Sequence, residues 1–300
     1  MKVDKPPYHL LTGCCEERLR ELDDASVHMV VTDPPYYIDG MGDDWDHEKL
    51  EGSASKAGVI GGLPVGMKFD PSQGRRLQEF MSPVAAELYR VLKPGGFCIA
   101  FSQARLYHRM AMAFEDQGFE MRDMLAWKYE GQAKAFSQDH FVRRMAQSGK
   151  ISERRAQELV AQLQGRKTPQ LKPQLEPMCL AQKPKTGTFV QNWCEHGVGL
   201  MDTQESLTGK FPGNCMEVPK PSREERGENP HMTVKPVALI AHLIRLFSQE
   251  GQCVLDPFCG SGSHGVAAVT NGRLFVGIEK EPAYMTVAAK RLKECSCVQC

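Results

Sequence analysis

No apolar run in these 300 residues approaches the roughly 20 that would cross a bilayer, which excludes a helical membrane protein. The N-terminus, Met1 to Tyr8, carries lysines and prolines where a secretory leader would carry an apolar stretch, so the chain is expected in the cytoplasm. A complete disulfide framework is lacking too, since eleven cysteines is an odd number and several (Cys98, Cys179, Cys253) sit inside apolar runs as reduced thiols do. Neither Cys295-Ser296-Cys297-Val298-Gln299-Cys300 nor Cys194 with His196 makes a four-ligand metal spacing, and no metal is expected. No internal repeat is visible.

Net charge is also absent, because 37 Lys and Arg balance 37 Asp and Glu. The charges are nevertheless segregated. From Lys128 to Lys185 there are twelve Lys and Arg against five Asp and Glu, a net +7 offset by −7 elsewhere. Phosphate neutralisation is local, so such a stretch suits a nucleic-acid face, with Arg143, Arg144, Arg154 and Arg155 as candidates. A solvated helix face would also account for any one of these charges.

What is present is alternation. Tyr8 to Thr12, Val27 to Thr32, Phe97 to Phe101, Met121 to Tyr129, Cys253 to Asp256 and Leu274 to Ile278 read as strands. Between them the spacing predicts helices over Cys15–Leu22, Leu77–Leu92, about Arg105–Gln117, Val237–Phe247, from Ser263, and about Glu281–Lys293. Strands alternating with helices imply an α/β fold, a Rossmann-like doubly wound and mostly parallel sheet. The irregular stretch at about 38–74, opening with Asp43-Asp44-Trp45-Asp46, is expected to be a lid. Residues 136–229 break the rhythm around one basic helix, Ser152 to Gln164, although Glu176 to Ala181 reads as a strand that returns to the sheet. The expected organisation is 1–135, an inserted region 136–229, 230–294, and a flexible tail 295–300.

Two strand tips carry chemistry. Asp33-Pro34-Pro35-Tyr36 places a carboxylate, two rigid prolines and an aromatic ring at the end of Val27–Thr32, a pocket for a flat, amine-bearing ring. Asp256-Pro257-Phe258-Cys259-Gly260-Ser261-Gly262 follows Cys253–Leu255 and leads into a helix. Glycines there admit close backbone approach, and the free N–H groups of the helix start suit a nucleotide-like cofactor. Glu279, 23 residues after Asp256, ends the next strand where an acidic group commonly grips ribose hydroxyls. A bare strand-to-helix turn would explain the glycines alone, and the Asp-Pro before them departs from the dinucleotide fingerprint.

The glycine loop resembles the cofactor loop of S-adenosylmethionine-dependent methyltransferases, and Asp33-Pro34-Pro35-Tyr36 resembles the catalytic motif of the amino-group DNA methyltransferases. With the catalytic motif first, a basic segment next and the cofactor loop last, the chain is similar to the beta group of that family, whose methyltransferase fold is circularly permuted. Leu88 to Gly96, Lys172 to Pro177 and His231 to Pro236 match further. The resemblance implies S-adenosyl-L-methionine as cofactor and transfer to N6 of adenine in duplex DNA after base flipping. It puts Asp33, Pro34, Pro35 and Tyr36 in the catalytic site, with Asp256, Pro257, Phe258, Gly260, Ser261, Gly262, Glu279, Thr233, Val234, Lys235 and Pro236 around the cofactor. It also implies a DNA target-recognition role for 136–229, with double-stranded DNA as partner, and admits a homodimer and a cognate restriction endonuclease.

The chain departs from the family at Gly13-Cys14, where the family carries Gly-Asp and the aspartate accepts from the cofactor's adenine. Trp127 and Tyr129 fall where the family places residues around the flipped base, and a core role for either is the competing reading. The N4-cytosine enzymes, which usually carry Ser in place of Asp33, are the nearest alternative. A protein-glutamine methyltransferase would have Asn-Pro-Pro-Tyr after the glycine loop, the reverse of the order here. A silent DNA-binding regulator would not need both motifs intact.

Overall fold

The computed structural model describes residues 6–36, 72–133, 135–226 and 234–297. The first part of the chain forms β1 (Tyr8–Thr12), α1 (Cys15–Leu19), β2 (Val27–Thr32), α2 (Gln73–Val91), β3 (Leu92–Phe101), α3 (Tyr107–Glu115) and β4 (Glu120–Lys128). Next come α4 (Asp139–Gln147), α5 (Glu153–Gln162), β5 (Leu175–Gln182), α6 (Phe189–His196), β6 (Cys215–Glu217) and the short α7 (Arg223–Arg226). The last part holds α8 (Val237–Phe247), β7 (Cys253–Asp256), α9 (Ser263–Thr270), β8 (Leu274–Glu279) and α10 (Pro282–Cys297). Among the described residues no helix is long and apolar enough to cross a membrane.

All eight strands join one sheet in the order β1-β8-β7-β2-β3-β5-β4-β6. β5 runs antiparallel to β3, while the pairs β1/β8, β8/β7, β7/β2, β2/β3 and β4/β6 are parallel. A parallel sheet covered on both faces needs unbroken apolar strands. β2 comes close, with Val27, Met29, Val30 and Val31 all buried and only the partly buried His28 between them. From β2 the chain proceeds to β3 on one side, and from β7 to β8 on the other. The winding direction therefore reverses between β2 and β7, which opens a crevice at their carboxyl ends.

Four boundaries differ from the sequence expectation. α2 starts at Gln73, so the last residues of the expected irregular stretch are helical; the proposed lid residues 38–71 lie outside the described residues. The expected break at Lys93-Pro94-Gly95-Gly96 is already part of β3, with the register against β2 shifting between Val27 and Met29 to absorb the extra residues. α10 continues through Cys297, so the expected flexible tail begins within a helix, where Ser296 Oγ donates to Leu292 O. The fourth is the insertion: the chain divides into one unit of Met1–Lys128 with Glu176–Cys300 and a second of Tyr129–Leu175. The stretch after Glu176 belongs to the first unit because buried Asn192, on α6, donates to Pro94 O and Val198 O and so ties that region to β3. The second unit is a pair of helices, α4 and α5, each burying a single small apolar residue, Val142 and Ala156.

α8 is anchored from the side by Glu205. The Arg245 guanidinium donates to both carboxylate oxygens at 2.8 Å, and Nδ1 of buried His242 lies 2.8 Å from one of them. The hydrogen bonds from Arg245, against the opposing effect of burial and with His242 assisting, hold the Glu205 carboxyl down at about 2. A folded-state value below the ordinary carboxylate range adds stability at neutral pH and loses it as pH falls through that lowered value. Glu205→Gln is therefore expected to lower the unfolding free energy by about 1.5–3 kcal/mol at neutral pH. In urea denaturation the gap to the wild type should close as pH falls from about 5 to 2; a gap independent of pH would contradict this anchor.

Candidate active site

β2 and β7 lie side by side, with Met29 opposite Val254 and Val30 opposite Leu255, so the residues that follow each strand emerge together. The join is closed by a fully buried carboxylate. Asp256 Oδ1 accepts from Thr32 Oγ1 at 2.6 Å and from the Phe258 N–H at 3.0 Å, while Oδ2 bonds His264 Nδ1. Asp33, Val234, Lys235, Phe258, Cys259, Gly260, Ser261, Ser263 and His264 line one cavity. The two strand tips that the sequence singled out thus open on a shared space, although 223 positions separate their carboxylates.

On the β2 side, four groups interlock. Lys235 Nζ sits 2.5 Å from Asp33 Oδ2 and 3.2 Å from Glu176 Oε1. The Tyr36 hydroxyl, with one proton to give, lies between two acceptors, Glu176 Oε1 at 2.6 Å and Asp33 Oδ1. Burial alone would depress the Lys235 ammonium, but the Asp33 and Glu176 carboxylates outweigh it and hold the group above its ordinary value. Burial and the same two carboxylates push the Tyr36 phenol well up, so it stays neutral and donates. Asp33 Oδ2 accepts from Lys235, while Oδ1 competes with Glu176 for the one Tyr36 proton; a carboxylate has about four lone-pair sites, so the group retains capacity for a further donor.

On the β7 side, the loop needs its glycines. Gly260 and Gly262 have φ of +49° and +80°, and a Cβ on Gly262 would come within 3.0–3.1 Å of Ala288. Gly265 serves packing instead: a Cβ there would meet the Phe275 ring at 2.6 Å, so its absence lets α9 sit close on β8. Glu279 steadies the loop, with Oε2 accepting from Gly260 N–H and Oε1 from Glu281 N–H, both at 2.8 Å. Its desolvation raises the carboxyl above the ordinary value, and those N–H groups oppose the rise. Thr12 pairs with Glu279 across the β1/β8 ladder, and Gly13 N–H donates to Glu279 O, which brings exposed Cys14 to the same end of the sheet.

The remaining expected site residues fall as follows. Pro34 and Pro257 are buried within the two motifs, Val234 and Pro236 are buried on either side of Lys235, and Pro35 is partly buried. Thr233 lies outside the described residues. Arg143, Arg144, Arg154 and Arg155 are all exposed in the second unit, the last two sharing Glu158 at 3.3 and 3.1 Å. Trp127 is core: it is buried, and its indole N–H donates to Val218 O at 2.7 Å. Sequence reading overlooked Glu176, His264 and Thr32. Glu176 had a signal, since it lies within the matching stretch Lys172 to Pro177; the other two are visible only through Asp256.

The model of a family described as DNA methylase matches residues 27–290. The Type II methyltransferase M.HindIII of Haemophilus influenzae is 32% identical over 299 residues, 91% of each chain. The Type II methyltransferase M2.DpnII of Streptococcus pneumoniae is 25% identical, covering 92% of this chain and 85% of its own. Among solved structures, a putative DNA modification methylase of Thermus thermophilus, complexed with S-adenosyl-L-methionine, superposes with a TM-score of 0.57 at 20% identity, over 96% of this chain and 94% of its own. The PvuII DNA methyltransferase, described as cytosine-N4-specific, gives 0.62 at 14% identity over 98% and 94%.

Among the described residues, Lys235 is the cation that Asp33 and Glu176 share. Lys235→Met should lower the unfolding free energy by about 3–5 kcal/mol, the cost of leaving buried charge unpaired. Adding Glu176→Gln should restore part of the loss in the same urea titration. A double variant no more stable than the single one would show that the two groups are not coupled.

Proposed function

The chain belongs to the DNA methylase family, and within it we propose that this protein transfers a methyl group from S-adenosyl-L-methionine to N6 of adenine in duplex DNA, with the target base flipped out of the stack. That it is a DNA methyltransferase follows from the family and from the Type II relatives; the choice of base is the reading defended here. The observation that carries it is the single cavity on which both Asp33 and the glycine loop open.

The residues fit the cofactor. A loop of positive-φ glycines lets a ligand approach the backbone, and the start of α9 follows directly. Phe258, Gly260, Ser261, Val234 and Lys235 would form its walls, backed by the buried Asp256, Pro257, Gly262 and Pro236, with Thr233 from the adjoining stretch and Glu279 toward the ribose. When bound, S-adenosyl-L-methionine supplies an electrophilic methyl carbon on a sulfonium. The protein must then prepare the acceptor. An exocyclic amine is a poor nucleophile because its lone pair is delocalised into the ring. Asp33 and the Pro34 carbonyl would each accept one N–H, biasing the nitrogen toward a tetrahedral shape with its lone pair directed at the methyl.

Tyr36, held by Asp33 and Glu176, would stack its ring on the base, and Lys235 would keep the Asp33 carboxylate in register. The presence of Asp at position 33, where N4-cytosine enzymes usually carry Ser, supports adenine. Arg143, Arg144, Arg154 and Arg155 would hold DNA phosphates, their exposure on α4 and α5 being suited to that. The Type II relatives support action beside a restriction endonuclease of the same specificity.

Incubating the purified protein with duplex DNA and labelled cofactor, then digesting to nucleosides, should yield N6-methyladenine by mass. N4-methylcytosine as sole product would overturn the adenine reading. Asp33→Ala should abolish incorporation while DNA retention on a filter persists. A wild type that methylates no duplex would instead favour a silent DNA-binding regulator.

A further inference from the structure

His264, the second residue of α9, is only 4% exposed. Its Nδ1 faces Oδ2 of Asp256, which can only accept, so Nδ1 carries a proton and Nε2 is the nitrogen left to take another partner. The ring is fixed in plane by Phe101, stacked at 6.1 Å with an interplanar angle of 17°. Nε2 itself is buried and has no hydrogen-bond partner among the described residues, while the side chain lines the cavity shared by Asp33, Lys235 and the glycine loop. A buried polar atom without a partner is unfavourable and calls for a ligand that satisfies it.

The surrounding charge says what kind of ligand group. Among the described residues, Asp33 and Glu176 share one cation, Lys235, and Asp256 adds a further carboxylate with only neutral or imidazole donors around it. The wall therefore favours an incoming cation that can also donate a hydrogen bond. We infer that Nε2 of His264 accepts from the α-ammonium group of the cofactor's amino-acid tail, an inference that rests on the S-adenosyl-L-methionine reading above. Asp33 marks the place where the methyl is delivered, so the sulfur lies at this cavity. The tail leaves the sulfur directly and reaches a group on the same wall, whereas Glu279, assigned to the ribose, is not part of that lining. His264 is thus a binding residue for the tail, positioned by Asp256.

Calorimetric titration separates this role from a structural one. His264→Asn keeps an N–H toward Asp256 at the position of Nδ1 and removes the far edge of the ring, which carries Nε2. S-adenosylhomocysteine, which has the tail, should bind the variant about ten- to a hundredfold more weakly than the wild type, as loss of a hydrogen bond to a charged group predicts. 5′-Methylthioadenosine, which lacks the tail, should bind both proteins within about twofold, since the interaction lost is local to the tail. On the wild type alone, the homocysteine analogue without its α-amino group should lose a similar factor, which tests the contact without any substitution.

Equal weakening of both ligands by His264→Asn, no weakening of either, or no penalty for deleting the amino group would overturn the inference. A wild type that binds neither ligand would overturn the cofactor reading together with it. A wild type that binds both, with a silent substitution, would leave the cofactor reading standing and remove His264 from it.

Discussion

One buried carboxylate holds the two halves of the site together. Asp256 is fully enclosed at the tip of β7 and spends its oxygens on a hydroxyl from β2, on the backbone of its own loop and on the imidazole of α9. Burying a carboxylate is unfavourable unless its lone pairs are satisfied, and here the donors come from three different segments. The requirement is geometric. Thr32 must stand at the end of β2 directly beside Asp256, which fixes Asp33, the next residue, at the mouth of the crevice. The parallel pairing of β2 with β7 supplies the placement, and the reversal of winding between them supplies the room.

Around that join the electrostatics are arranged by role. Asp33, Glu176, Tyr36 and Lys235 form a closed cluster in which a neutral phenol and one ammonium face two carboxylates. Such a cluster is costly to bury and contributes little net stability compared with apolar packing, so its value lies in orientation. In the proposed reaction it would present Asp33 as an acceptor whose position is set before any base arrives. Preorganised acceptors of this kind need no rearrangement when charge develops, which is where enzymes gain most of their rate. On the opposite wall the glycine loop contributes backbone shape, and Glu279 spends its carboxylate on keeping that shape.

Much of the architecture was legible in the sequence, for a physical reason. Parallel strands buried on both faces must be unbroken apolar runs, and β2 was delimited to the residue while β8 was one residue short. β5 was recognised as a return to the sheet even though it lies within a region of different character. Two helices that bury almost nothing, α4 and α6, were missed, although α5, which buries only Ala156, was read as the basic helix. α4 buries only Val142 and α6 only Asn192, so neither leaves an apolar stripe, although Thr188 and Gln191 form a capping box and Gly197 closes the helix in a left-handed conformation. The same limit applies at the site. The motifs were visible because their residues are contiguous, whereas Lys235 meets Asp33 across 202 positions and Glu176 meets Tyr36 across 140, contacts without any local pattern.

The central claim is that catalytic carboxylate and cofactor share one crevice at the carboxyl ends of β2 and β7. A crystal structure of the protein with S-adenosylhomocysteine tests it most directly. The account predicts ligand density between the Gly260–Gly262 backbone and Asp33, with the sulfur facing the Asp33 side chain. Density at another part of the sheet, or a ligand in the crevice with its sulfur turned away from Asp33, would contradict it.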